Sequence, residues 1–368
     1  MEINGEVKKS KRKLKKKNLI IIIALFLVLV AIIVGIIFIV NNKKTEPIND
    51  SNTPQEKKEE PKLKIVDVNS KSRPYAIMIN NHPTARNYHS GLQDAYIIYE
   101  IIVEGGMTRY MALFMDQNTE RIGSVRSARH YFLDYALEND AIYVHHGYSP
   151  QAQSDISRLG VDRIEVSDST GWGDRTLGIS YEHTLFTSIG KLNNGLKNKR
   201  LERNKDLLLN YSIDKVDLPS IENAKKADKV TIKYSNSVTD KYEYDNEKEY
   251  YLRSVNNKVH SDFVTKEQYH FKNIIVYKVG NSTITGDEKG RQDLSNIGSG
   301  DGYYISDGYA VPIKWSKSSR DAQTKYTYLN GKEIDVNDGN TFIHIIPNSG
   351  SINIEENKTN VEVNNEWY

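Results

Sequence analysis

The run "LIIIIALFLVLVAIIVGIIFIV", Leu19–Val40, is twenty-two apolar residues without a break. At about 1.5 Å per residue, a helix of this length exceeds the roughly 30 Å hydrocarbon core of a bilayer. The run therefore predicts a transmembrane helix over 18–40. A secretory signal has a shorter apolar region, about 7–15 residues, followed by a small-residue cleavage site, and no such site follows here. Residues 1–17, "MEINGEVKKSKRKLKKK", carry eight Lys and Arg against two Glu, a flank of the kind retained in the cytoplasm. The expected topology is a signal anchor: a single pass through the cell membrane, the N-terminus cytoplasmic, and the bulk of the chain from Asn41 onward extracytoplasmic.

The formal charge of +2 conceals this asymmetry. The tail holds +6 and residues 18–40 hold none, so +2 less +6 leaves −4 for residues 41–368. A mildly acidic bulk argues against a nucleic-acid partner. The chain has no cysteine, which excludes disulfides, thiolate zinc sites, a cysteine nucleophile and a lipidated cysteine. No P-loop, HExxH pattern or strand-linked GxGxxG occurs, so neither a cofactor nor a metal is expected.

Residues 41–62 are polar, charged and proline-spaced, and read as a flexible stalk. Strand-like and helix-like segments alternate over 63–195, which predicts an α/β or α+β domain carrying the site. "DAYIIYEIIVE" is apolar enough for a strand or a buried helix, and periodicity does not decide between them. "SPQAQSDISRLG" reads as a helix with Ser149 as cap, Pro150 at its first position and Gly160 past its end. Residues 196–228 read as a helical connector. Short β runs separated by Gly, Asn and Asp turns then predict a smaller β-rich domain over 229–350, with an Asn-Gly hairpin in "LNGKEIDV". Residues 351–368 read as a polar tail.

The candidate site centres on "GSVRSARH". Gly123 and Ser124 read as the turn and N-cap of a helix, which would place Arg126 and Arg129 in its first turns. Anions are favoured there by the helix dipole and cations are not. Two arginines in that place point to an external carboxylate or phosphate, with Arg109 converging from the preceding strand and His130 and His146 as further ligand contacts. The competing reading is an internal ion-pair network with nearby carboxylates such as Glu100, Glu104, Asp116 and Asp134. Glu100 and Glu104 are four apart. On a helix their carboxyls would lie roughly 6 Å apart, within reach of paired glycosidase acids. On a strand they would be about 13 Å apart, too far to cooperate.

Three blocks, "SGLQDAYIIYEIIVEGGMTRYMALF", "IGSVRSARHYFLDYALENDAIYVHHGYSPQA" and "HTLFTS", resemble the N-terminal domain of the YerB-like lipoprotein family, which carries domain of unknown function 3048. "NIIVYKV", "GYYISDGYAVPIKW" and "LNGKEIDVNDGNTFIHIIP" are similar to that family's C-terminal domain. The order of the blocks matches over about 65–350. The resemblance implies an envelope location in Gram-positive bacteria. Family members are lipid-anchored through a cysteine, where this chain has the apolar run.

Taken with the residues, the resemblance leads to a membrane-anchored envelope protein that binds or cleaves a peptidoglycan-type cell-wall polymer or peptide through an Arg/Glu cleft. An enzyme of this kind would cleave glycan strands, with Glu104 or Glu100 as general acid. The alternative is a non-enzymatic scaffold for other membrane or envelope proteins.

Overall fold

The computed structural model describes residues 63–357. The expected basic tail, the span at 18–40 and the stalk fall outside them. Among the described residues no helix is long and apolar enough to cross a membrane.

The strands Ile97–Ile102, "IIYEII", and Thr341–Pro347, "TFIHIIP", are each buried along their whole length. A strand covered on both faces reads as an unbroken apolar run rather than an alternation. That is why periodicity left the first of them open. The two pair in parallel, with Glu100 directly opposite His344. They form the middle of a 12-stranded sheet. On one side follow Thr108–Phe114, Tyr75–Asn80, Ile142–His145 and Arg163–Glu165; on the other, Asn273–Thr283, Gly298–Ser306, Tyr309–Lys317 and Lys225–Lys226.

This corrects the expected fold class. The described chain is mostly β, with 41% strand and 15% helix, and not an α/β domain followed by a smaller β-rich one. Strands from both sides of the expected connector build one sheet. The change of texture near Lys229 is real, but local texture does not limit which strands pair, because backbone edges are alike in every strand.

Six strands form a second, antiparallel sheet: Lys258–Val259, Tyr250–Val255, Thr239–Asp245, Lys229–Lys233 and Ser351–Glu355, with His270–Phe271 beside Tyr250–Val255. Successive side chains of a strand point to opposite faces, and the Ile97–Ile102 strand serves two cores accordingly. Ile98 and Ile102 pack with Ile232, Tyr242, Tyr251 and Phe342 towards the second sheet. Ile97, Tyr99 and Ile101 pack with Tyr131, Phe132, Tyr135 and Ile156 towards the helices His130–Glu138 and Pro150–Arg158. The result is three layers, with Glu100 in the phase that faces the second sheet.

The Pro150–Arg158 helix begins as its sequence suggests, with Ser149 Oγ accepting from the Ala152 N–H at 3.1 Å. The hairpin at Asn330-Gly331 also forms, with the Tyr328 N–H donating to the Lys332 carbonyl at 2.8 Å. The helix expected from Ser124 instead opens at His130, with Arg129 as its N-cap residue. Residues 124–126 are extended: the Asn80 N–H donates to Ser124 O, Val125 N–H to Leu185 O, and Arg126 N–H to Met78 O. Strand-like bonds to two neighbours satisfy this backbone better than a first helical turn would. The 196–228 segment holds no α-helix, only the short 3-10 turn Leu218–Ser220 and the strands Asn210–Ser212 and Lys225–Lys226.

Candidate functional site

Arg109 lies on the Thr108–Phe114 strand, and Glu104 on the tight turn just before it. Glu104 Oε1 accepts from Arg129 Nε, and its Oε2 stands 3.6 Å from Arg109 Nη2. Arg109 Nη1 also donates to the Ser127 carbonyl at 2.7 Å, and Arg129 Nη1 to the Ala128 carbonyl at 2.8 Å. Burial raises the Glu104 carboxyl, but its bond to Arg129 and the charges of Arg129 and Arg109 outweigh that and hold it below its ordinary range. Arg109 is pushed down to about 9, first by burial and then by the like charge of Arg129. The structure thus brings Glu104, Arg109 and Arg129 together.

Arg126 lies close enough to repel Arg109, and donates from Nη2 to Glu182 Oε2 at 2.7 Å. His146 adjoins it: its backbone N–H donates to the Arg126 carbonyl at 3.1 Å, and its Nδ1 to Val166 O at 2.9 Å. His130 turns elsewhere, with Nε2 at 2.9 Å from Asp293 Oδ1.

Glu100 belongs to a different place. It is wholly buried between the two sheets, together with Asp240, Arg253 and His344. Arg253 Nη2 stands 3.0 Å from Glu100 Oε2 and 2.8 Å from Asp240 Oδ1. Thr108 Oγ1 donates to Glu100 Oε1 at 2.6 Å. Burial and then the neighbouring Asp240 charge push the Glu100 carboxyl well above its usual range. Burial raises Asp240 too, but Arg253 outweighs it and keeps that carboxyl low. One guanidinium therefore balances one carboxylate: Arg253 holds Asp240 charged, and burial beside Asp240 favours the neutral form of Glu100.

The histidines around Arg253 are neutral and their tautomers follow from their partners. Arg253 Nε donates to Tyr242 Oη at 3.0 Å, and Tyr242 donates to His344 Nε2 at 2.8 Å. His344 Nδ1 then donates to Tyr234 Oη at 3.0 Å, and Tyr234 to the Glu100 carbonyl at 2.9 Å. In the other direction Arg253 Nη1 donates to His260 Nδ1 at 2.7 Å, His260 Nε2 to His89 Nδ1 at 2.9 Å, and His89 Nε2 to the Asn80 carbonyl at 2.7 Å. Burial pushes His344 and His89 down to about 3.

Glu100, Asp240 and His344 present ligand atoms within 4.8 Å of one another, a set with the donors of a divalent-cation site. The Arg253 guanidinium already supplies the positive charge that the Asp240 carboxylate needs.

Asp240, Arg253 and His344 escaped the sequence reading because each stands alone in a β-rich run. A signal was present. In "YYLRSV" Arg253 falls between Tyr251 and Val255, in the buried phase of an alternating strand, where a charge needs a partner.

Residues 63–202 match the N-terminal domain of the proteins of unknown function DUF3048, and residues 230–343 match the C-terminal domain. The chain is 30% identical over 300 residues to "Putative lipoprotein YerB" of Bacillus subtilis (strain 168), spanning 77% of this chain and 84% of that protein. A crystal structure of YerB from Bacillus subtilis superposes with a TM-score of 0.66 at 28% identity, covering 77% of this chain and 94% of that one. The expected single-pass localisation, with a cytoplasmic N-terminus, is corrected on the name of this relative, a putative lipoprotein. The run at 18–40 lies outside the described residues, among which no helix is long and apolar enough to cross a membrane. With both domains matched in order and a relative aligned over most of its length, the chain belongs to the DUF3048 family of YerB-like proteins.

Proposed function

We propose that this chain is an envelope-associated binding protein that holds an anionic cell-wall polymer or peptide at the cluster of Arg109, Arg126 and Arg129. The observation that carries this reading is the shortage of negative charge there. Glu104 is shared by Arg109 and Arg129, and the buried Arg109 guanidinium is burdened by its arginine neighbours. A ligand carboxylate or phosphate would relieve that burden and accept several charge-assisted hydrogen bonds. The envelope association rests on the name of the Bacillus subtilis relative.

Binding suits the geometry better than cleavage. A general acid must hold a proton and come within about 3 Å of the leaving oxygen. Glu104 is kept ionised by its arginines, and Glu100 keeps a proton but has no exposed surface.

A second reading, a scaffold for envelope proteins, is favoured by the pairing of Arg126 with Glu182 and of Arg129 with Glu104. Co-sedimentation of the full chain with purified sacculi decides between the two. The binding reading expects retention that falls with salt and with Arg126→Gln, and no soluble fragments by mass spectrometry. A full chain left wholly in the supernatant at low salt would favour the scaffold.

A further inference from the structure

A cleft of about 600 Å³ opens between residues 83–88 of the first matched domain and 255–261 of the second. Its size is that of a small-molecule site. One wall is the short helix Pro83–Arg86, preceded by His82, whose Nδ1 accepts from the Thr84 N–H at 3.3 Å. The other is the tip of the hairpin from Tyr250–Val255 to Lys258–Val259. Asn256 and Asn257 turn that tip with φ of 50° and 60°, the left-handed pair of a two-residue hairpin loop. Asn256 also pins the tip with its side chain, which donates to Ser237 O and accepts from Thr239 N–H, each at 2.8 Å.

The charged residues that line the cleft, Arg86 and Lys258, are both basic, and among the described residues no carboxylate lines it. Neither makes an ion pair among the described residues. Arg86 is aimed by two bonds to Asn81, from Nε to Oδ1 at 2.8 Å and from Nη2 to the carbonyl at 3.0 Å, which leaves Nη1 without a partner. The hydroxyls of Thr84 and Ser261 are likewise uncommitted among the described residues. The floor is His260, whose two ring nitrogens are taken by Arg253 and His89. It brings the Arg253 charge close behind the cleft without offering a donor of its own. Tyr88 and the exposed Val259 supply apolar surface beside the charges.

We propose that this cleft is a second binding site, distinct from the arginine cluster, for a small phosphomonoester. At neutral pH a phosphomonoester carries about −1.5 to −2 charge and three acceptor oxygens. That matches two uncompensated cations flanked by hydroxyls. A carboxylate brings one charge and two oxygens. Arginine provides the planar fork and lysine the point charge that phosphate binders combine, and the organic part of the ligand lies on Tyr88 and Val259.

The test is a calorimetric titration of the full chain with phenyl phosphate, with benzoate and inorganic phosphate as comparison probes. Phenyl phosphate is expected to bind one to one and more tightly than either. Lys258→Met, at an exposed position, should weaken it at least tenfold with the melting temperature unchanged, while Lys241→Met, at an exposed lysine outside the cleft, should bind as the parent does. No saturable binding at millimolar phenyl phosphate, or equal binding to Lys258→Met, would overturn the site. Benzoate binding as tightly would overturn the phosphate assignment. A loss in Arg126→Gln without one in Lys258→Met would put the phosphate at the arginine cluster and also overturn it.

Discussion

Arg253 reaches Glu100 from the second sheet at 3.0 Å, and the same Nη2 stands 2.8 Å from Asp240. The two carboxyls are not equivalent. Glu100 is the protonated partner and Asp240 the charged one. Glu100→Gln therefore keeps the charge balance and supplies an amide donor towards Asp240, and should cost under about 1 kcal/mol, as for a minor packing change. Arg253→Met strands a buried carboxylate and should cost about 3–5 kcal/mol. Urea unfolding of the two variants measures the contrast, and equal losses would show that Glu100 is ionised.

Acid should unfold this protein early. His89 and His344 are pushed down to about 3, His145 to about 4, and His260 well below its usual value, each by burial first. In the unfolded chain each would titrate near 6.5. Their stabilisation is complete above pH 6.5 and is lost as pH falls from there towards 3, because the unfolded state takes up protons that the folded state refuses. Glu100 works in the opposite sense, since above about pH 4.3 the unfolded chain releases a proton that the folded state keeps. Four uptakes against one release leave a net loss of stability as pH falls through this range. Unfolding midpoints at pH 7.5, 6.0 and 5.5 at fixed ionic strength check the slope, and a flat profile would contradict it.

At the arginine cluster, Glu104 competes with any ligand for the same guanidiniums. Glu104→Gln should lower stability by about 1.5–3 kcal/mol, the range for hydrogen bonds to charged groups. It should also tighten the hold on purified sacculi at matched salt, because the arginines gain a net positive charge. Weaker retention would instead make Glu104 part of the ligand contact.

Backbone fit at Gly91 gives a sharper stability test. Its φ is +74°, and a Cβ there would lie 2.4 Å from the Arg121 carbonyl and 2.6 Å from Thr119 Cγ2. Gly91→Ala combines left-handed strain with a backbone clash, and should cost more than the ~1 kcal/mol of a typical substitution. Ser149→Ala, which removes only a helix cap, should cost about 1 kcal/mol. Thermal melts of the pair should rank them in that order.

What the sequence made legible was local chemistry. Ser149 with Pro150 announces a helix start because both residues act within one turn, and Asn330-Gly331 announces a hairpin for the same reason. Ser124 misled because a serine offers the same oxygen to a helix as to an extended segment. The carbonyls that settled the matter, on Met78 and Leu185, come from distant parts of the chain. The expected fold class failed for a related reason. Pairing of Glu100 with His344 depends on register between strands far apart in sequence, which composition does not encode. Arg109, Arg129 and Glu104 were within reach because one turn and its following strand place the first and last of them side by side. Glu100, Asp240, Arg253 and His344 come one from each of four strands, and no local spacing carries that.

The parallel seam between Ile97–Ile102 and Thr341–Pro347 also fixes an order of events during synthesis. The strand that completes the centre of the large sheet leaves the ribosome long after both of its neighbours. Until it arrives, Ile97–Ile102 and Asn273–Thr283 each present an unpaired edge rich in apolar residues, the kind of surface on which strands from other chains add. The long loop closed by the seam makes it a slow contact to form. A nascent chain of this protein therefore waits, aggregation-prone, for this isoleucine-rich strand, and a stop codon shortly before Thr341 would leave the centre of the large sheet open.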